Sequence, residues 1–188
     1  VFNIELSGKR VELLREASSS RKAVLLLLVP DDDPTDMTAL LQETEQRGRA
    51  LGVDLRLLKV TRAEDLSAAL GGLHPSRDGS LIVLPTPLAL SHAPIVAELA
   101  LKQKLATIGD YRTFAESGGL MSYGVDHDDQ LRGAATYVDR ILRGTPPKDL
   151  PVQQPSRFRL VINLKTAKAL GLTIPPSLLA RADQVIDP

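Results

Sequence analysis

The sequence predicts an α/β protein built on a parallel sheet flanked by helices, and three observations carry that prediction. The first is the run Ala23-Val24-Leu25-Leu26-Leu27-Leu28-Val29, which lacks the apolar-polar alternation of a half-solvated strand and reads as a central strand covered on both faces. The second is the steady exchange of short apolar runs with amphipathic stretches, the pattern of right-handed crossovers on a twisted sheet. The third is composition: 188 residues, 43% hydrophobic and 24% charged, suffice for one domain or two small ones with a sizeable core.

Taken in order, Ser7 is placed to cap a helix over 8–17, with Val11, Leu13, Leu14 and Ala17 on its apolar face. The strand at 23–29 opens onto residues 30–33. Pro34 and Thr35 begin a helix carrying Met37, Leu40, Leu41 and Thr44, stopped by Gly52. Residues 53–60 return as a strand. Thr61 with Glu64 has the capping-box spacing for a helix that turns Leu66, Ala69, Leu70 and Leu73 inward. A third strand at 80–84 is broken by Pro85-Thr86-Pro87. A helix over 91–104 follows with Ile95, Val96, Leu99 and Ala100 as its core face, then a short strand at 105–108 and one or two helical turns over 110–117.

Gly118-Gly119-Leu120-Met121-Ser122-Tyr123-Gly124 is an apolar run bracketed by glycines. It reads either as a strand delivering Ser122 and Tyr123 to a site or as a buried strand with glycine turns. The acidic cluster Asp126, Asp128, Asp129 then marks a helix amino terminus and Arg140 and Arg143 its other end, with Leu131, Ala134, Ala135, Val138, Ile141 and Leu142 as the apolar row. Residues 145–155 hold four prolines and read as an extended connection. A strand over 158–162, a helix over 164–170 capped by Asn163 and stopped by Gly171, and an apolar helix over 177–182 complete the chain.

The 23 basic and 23 acidic residues balance, which removes the basic footprint expected of a nucleic-acid partner. Absence of cysteine excludes disulfides and thiolate metal sites and leaves the compartment open. The longest apolar run is too short to span a bilayer, and the first residues lack the regions of a signal peptide, so an export signal, if the protein has one, lies outside this sequence.

In open parallel sheets, ligands bind beyond the carboxyl ends of the strands. Three such ends are chemically rich here: 30–33, 85–87 and 108–111. Thr86 offers a hydroxyl donor, the start of a helix near Ser91 offers free amides to a carboxylate, and Tyr111, beside Asp110, offers a ring to stack on a flat ligand; simple turn chemistry is the competing reading of each. Asp31-Asp32-Asp33 invites a metal or phosphoacceptor reading, but lacks partner residues and suits helix capping better. His74, His92 and His127 have no ligand spacing. No phosphate-binding glycine loop or serine nucleophile elbow is present, and no nucleophile, base and orienting group come together, so the expectation is a protein that is not an enzyme.

The segment 118–124, the helix 132–144, the run Asp149-Leu150-Pro151-Val152-Gln153-Gln154-Pro155 and above all residues 160–176 closely resemble the ABC-transporter substrate-binding protein family that includes tryptophan-binding-like proteins. The likeness extends to 81–95 and to Tyr111-Arg112-Thr113-Phe114. It implies a type I periplasmic binding protein, whose lobes are three-layer sandwiches of the flavodoxin-like or Rossmann-like kind. Residues 1–122 would be the second, distal lobe, 123–157 a crossing helix and linker to a first lobe, and 158–188 a strand and helices returning to the second. The family's amino-terminal lobe and its export or lipoprotein signal are not in this sequence, so the isolated chain is expected to bind solute poorly and to self-associate through the surface the first lobe would cover.

The resemblance further implies a small-molecule solute, with an aromatic or branched amino acid as the class to test, no cofactor, an ABC permease as partner, and a periplasmic or extracellular location with a lipoprotein anchor as an option. Family members usually carry Asn and Pro after the first strand where this chain has Pro30 and Asp31, an acidic loop that suits an amino group or simple solvation. Pro30, Asp31, Thr86, Ser91, Asp110, Tyr111, Ser122 and Tyr123 are therefore the candidate ligand-binding residues, expected to converge on one rim. A ligand-sensing regulatory domain of similar architecture, or a flavodoxin-like enzyme, are the competing functions.

Overall fold

In the computed structural model, which describes residues 4–20, 22–29 and 37–187, the leucine-rich run forms β1 (Lys22–Leu28) between β2 (Asp54–Val60) and β3 (Ser80–Val83), all parallel. β4 (Ala106–Gly109) and β5 (Met121–Val125) extend the parallel set. β6 (Phe158–Asn163) then lies antiparallel to β5, and β7 (Gln184–Ile186) lies parallel to β6. The order β2-β1-β3-β4-β5-β6-β7 makes one seven-stranded sheet. The fold class is the one expected, with two differences. The antiparallel β6 follows from the connection after residue 142, which brings the chain back at the edge where β5 ends. β7 was not foreseen: three residues pairing on one side carry no periodicity of their own.

Helices cover both faces. On one lie α1 (Ile4–Ser18) and α2 (Thr38–Leu51), whose Val11, Leu14 and Leu40 pack with Leu25, Leu27, Ile82 and Ile108 of the sheet. On the other lie α3 (Leu66–Gly71), α5 (Pro87–Ser91), α6 (Ala93–Lys102) and α7 (Arg112–Glu116), whose Leu66, Leu70, Val96, Ala100 and Phe114 pack with Val24, Leu26, Leu28, Leu81 and Val83. Successive β1 residues thus face opposite cores, which is why the run is continuous rather than alternating. Each fully buried leucine contributes about 1.5–3 kcal/mol.

Several boundaries differ from expectation for local reasons. α1 begins before Ser7, so Ser7 is a buried interior residue and not a cap. A 3-10 turn, Ala63–Asp65, with Arg62 rather than Thr61 at its cap position, leads into α3. The short α4 (Pro75–Asp78), started by a proline, was not read from the sequence. The helix expected over 91–104 runs over Ala93–Lys102, and the stretch 85–87 read as a break leads into a short helix opened by Pro87 that ends at Ser91. Ile95, expected on the core face, is exposed, and Ala93, Val96, Ala97 and Ala100 form the buried face. In the tail, α9 (Leu164–Leu170) has the expected Asn163 cap, accepting from the Thr166 amide, and the Gly171 stop at φ 71°. The last helix, α10 (Pro176–Leu179), is shorter than expected, and its Leu178 packs on the α1 side of the sheet.

α8 (His127–Leu142) forms as expected, with Asp126 as amino cap. Its apolar row does not reach the core: among the described residues Leu131 is 69% exposed and Leu142 81%. The Tyr137 hydroxyl donates to the Pro151 carbonyl at 2.6 Å, tying the proline-rich connection back along this helix.

Candidate functional site

The carboxyl ends of β3, β4 and β5 share one edge, and there the chain builds a cleft of about 360 Å³, within the range that holds a small solute. Its floor is the junction of β4 and β5. An added Cβ on Gly124 would meet the Asp110 carbonyl oxygen at 2.2 Å, so only glycine lets the two backbones lie this close. Asp110 and Tyr111 follow β4, and the Tyr111 ring stacks on His127 of α8 with centroids 5.5 Å apart and planes 20° apart.

Charge lines the walls in pairs. Asp126 accepts from the amides of Asp128 and Asp129 and from Arg159 of β6 at 2.8 Å. Burial alone would raise its carboxyl, but the Asp129 amide, the Arg159 guanidinium and the Asp128 amide outweigh that and hold it below its ordinary value. Arg159 also lies 3.7 Å from Asp128, and Arg112 reaches both Glu116 and Asp128. Leu90 and Thr113 complete the lining.

Behind the cleft sits Arg10 of α1, 1% exposed. Its Nε donates to the Tyr123 carbonyl at 2.7 Å, an Nη2 hydrogen bond engages Asp110 Oδ1, and Nη1 is buried with no acceptor among the described residues. Burial lowers this guanidinium from its ordinary value to about 10, with Tyr111 and Tyr123 acting in the opposite direction, so it stays charged at neutral pH.

Of the candidate residues read from the sequence, Asp110 and Tyr111 line the cleft. Thr86 is at the same edge, but its hydroxyl donates to the Leu28 carbonyl at 2.6 Å and accepts from the Ala89 amide at 3.0 Å, so the donor foreseen for a ligand joins β1 to the start of α5. Ser91 is exposed at the end of α5, not at a helix start; its hydroxyl and the following amide both donate to the Leu88 carbonyl, and its neighbour Leu90 is the residue that reaches the cleft. Tyr123 packs against the α1 core beside Phe158. Ser122 is buried with its hydroxyl unpartnered among the described residues, and strand alternation turns it to the opposite face from Tyr123. Pro30 and Asp31, with the acidic run and the helix start at Pro34, lie outside the described residues.

Sequence reading missed Arg10, His127 and Arg159. A buried arginine inside an amphipathic helix is spelled like a solvated one. Gly124 was legible as a glycine at the exit of a strand, though its partner was not.

A parallel sheet ordered 2-1-3-4-5, covered by helices on both faces and opening a cleft at its carboxyl edge, is the architecture of lobes that bind small molecules. The chain belongs to the ABC transporter substrate binding protein family, whose profile matches residues 1–186. The fold is that of a conserved domain protein from Vibrio cholerae (TM-score 0.81, 24% identity, 95% of this chain and 60% of that one). It is equally that of an ABC domain in complex with L-Trp from Streptococcus pneumoniae (TM-score 0.80, 24% identity, 96% of this chain and 60% of that one). In sequence the chain is 26% identical over 114 residues to a tyrosine-binding protein of Clostridioides difficile, covering 60% of this chain and 32% of that protein. The chain spans about 60% of the length of these two solved structures.

Proposed function

We propose that this chain is the distal lobe and return segments of the solute-binding component of an ABC importer, and that its solute is an amino acid, aromatic by preference. The observation that carries this reading is the cleft at the carboxyl edge, where a stacked Tyr111–His127 pair stands beside Asp110, Arg112 and Arg159 in a chain of this family. An aromatic face for a side chain and fixed charges of both signs suit a zwitterion. The L-Trp of the Streptococcus pneumoniae domain and the tyrosine of the Clostridioides difficile protein belong to the same class.

In this reading residues 1–122 form the lobe, 123–157 cross to a first lobe and 158–188 return. The exposed apolar row of α8 supports a covering partner of that kind. The solute bridges both lobes, closure shifts an open-to-closed population, and the closed form docks on a membrane permease outside the cytoplasm. No bond chemistry is performed.

The test is calorimetry with tryptophan, tyrosine, phenylalanine and the branched amino acids, run on the full-length protein and on residues 1–188 alone. The full-length protein is expected to bind an aromatic amino acid, and the isolated chain to bind it weakly or not at all. Micromolar binding by a monomeric 1–188 chain would overturn the need for a second lobe, and failure of the full-length protein to bind any amino acid would overturn the solute class.

A further inference from the structure

We propose that Asp110 accepts a hydrogen bond from a protonated amino group of the solute and that Arg10, buried behind it, is the residue that positions it. The proposal rests on the amino-acid reading above and assigns the end of the solute that this wall of the cleft holds.

With Asp126, whose side chain is 10% exposed, Asp110 is one of two acidic groups set deep in the cleft. Its side chain is 13% exposed, less than the 52% of Asp128, and it lines both the main cleft and the narrow apolar crevice beside Pro85, Leu90 and Phe114. Among the described residues only one of its carboxylate oxygens is engaged. Oδ1 takes the Arg10 hydrogen bond, while Oδ2 receives none among the described residues. Asp126, by contrast, is filled by two amides and Arg159. A carboxylate has about four acceptor positions, so Asp110 keeps free capacity of the kind an ammonium needs.

That capacity is aimed. An added Cβ on Gly124 would lie 2.7 Å from Asp110 Oδ1, so the carboxylate is pressed against the β5 backbone on one side and held by Arg10 on the other. Arg10 also grips the Tyr123 carbonyl, linking α1 to the ends of both β4 and β5. Packing alone does not account for a guanidinium here. Its Nη1 is buried without an acceptor among the described residues, whereas an apolar side chain would fill the same space with no orphaned donor. What an apolar residue would not do is hold Asp110 through a hydrogen bond to Oδ1. The arginines on the rim, Arg112 and Arg159, leave the opposite end of a zwitterion for the far side of the cleft.

The experiment uses the full-length protein and calorimetry with three probe series: tyrosine and tryptophan, the corresponding amines lacking the carboxylate, and the corresponding 3-arylpropionates lacking the amine. Asp110→Asn is expected to weaken both amine-bearing series about ten- to a hundredfold and to leave the arylpropionates unchanged. Arg10→Gln should reduce the preference of amine-bearing over deaminated probes in the same direction, a ratio that a purely structural role would not move. If Arg10→Gln fails to fold, Asp110→Asn still decides. Unchanged amine affinity in Asp110→Asn, with the wild type binding amino acids, overturns this assignment and leaves the solute class standing. A wild type that prefers arylpropionates, or binds none of the three series, overturns both.

Discussion

The backbone of Gly124 lies against that of Asp110 so closely that a methyl on Gly124 would sit 2.2 Å from the Asp110 carbonyl oxygen. Backbone atoms have no rotamer with which to yield. Gly124→Ala is therefore expected to part the ends of β4 and β5, costing about 1–3 kcal/mol of stability and weakening solute binding with it. Denaturant unfolding with binding measured in parallel checks this; a variant matching the wild type in both would show that the strand ends are free to separate.

Tyr111 is half-buried and stacked on His127 at the cleft wall. Tyr111→Ala in the full-length protein should lose a stacking contact worth about 1 kcal/mol beyond area burial and weaken aromatic solutes while barely moving the melting temperature of the empty protein. Equal losses of affinity and stability would mark Tyr111 as a packing residue instead.

Phe114 is 3% exposed, and its ring is flanked by Gly109 and Gly119, where added Cβ atoms would meet it at 2.7 and 2.4 Å. The ring wedges α7 against the β4–β5 junction. Phe114→Ala should cost about 3–5 kcal/mol, measured as a fall in the urea midpoint. A loss under 1 kcal/mol would mean that the wedge collapses around the void.

The Asp126 carboxyl is held below its ordinary value of 3.8 in the folded protein. A depressed carboxyl contributes stability that is present above its unfolded value and is lost as pH falls through its folded one. Wild-type melting temperature should accordingly drop on acidification below about pH 3.8 more steeply than that of Asp126→Asn, which keeps the helix cap and removes the charge. Parallel acid limbs in the two proteins would assign the loss to other carboxyls.

Along α8, Leu131, Val138, Ile141 and Leu142 stand exposed in a helical row, with Val152 beyond them. An apolar row of this kind drives association. Residues 1–188 alone should sediment as dimers or larger species, and Leu131→Glu with Leu142→Glu should shift them toward monomer with little change in stability. A strictly monomeric wild-type chain would show that the row is tolerated in water.

Much of the fold was legible because its signals are local. A seven-residue apolar run, glycine stops at Gly52 and Gly171, an asparagine cap at Asn163 and an acidic start at Asp126 each act through their nearest neighbours, and each appears where its chemistry requires. Local signals also misled where a longer-range demand prevailed. Ser7 had the chemistry of a cap but lies inside a helix packed on the sheet, and Pro87, which reads as part of a strand break, opens the short helix α5.

By itself the sequence determined the architecture, the family likeness and the edge of the sheet at which chemistry gathers, because strand direction and helix spacing follow from short-range steric and solvation rules. Tertiary structure alone decided which side chains the edge presents. It spent the Thr86 hydroxyl on Leu28, turned Tyr123 into the α1 core, and brought Arg10 to Asp110 across 100 residues of chain. Those outcomes depend on which groups burial leaves without water, and a buried donor must take the acceptor that the packed chain brings within reach. No spacing in the sequence records that distance.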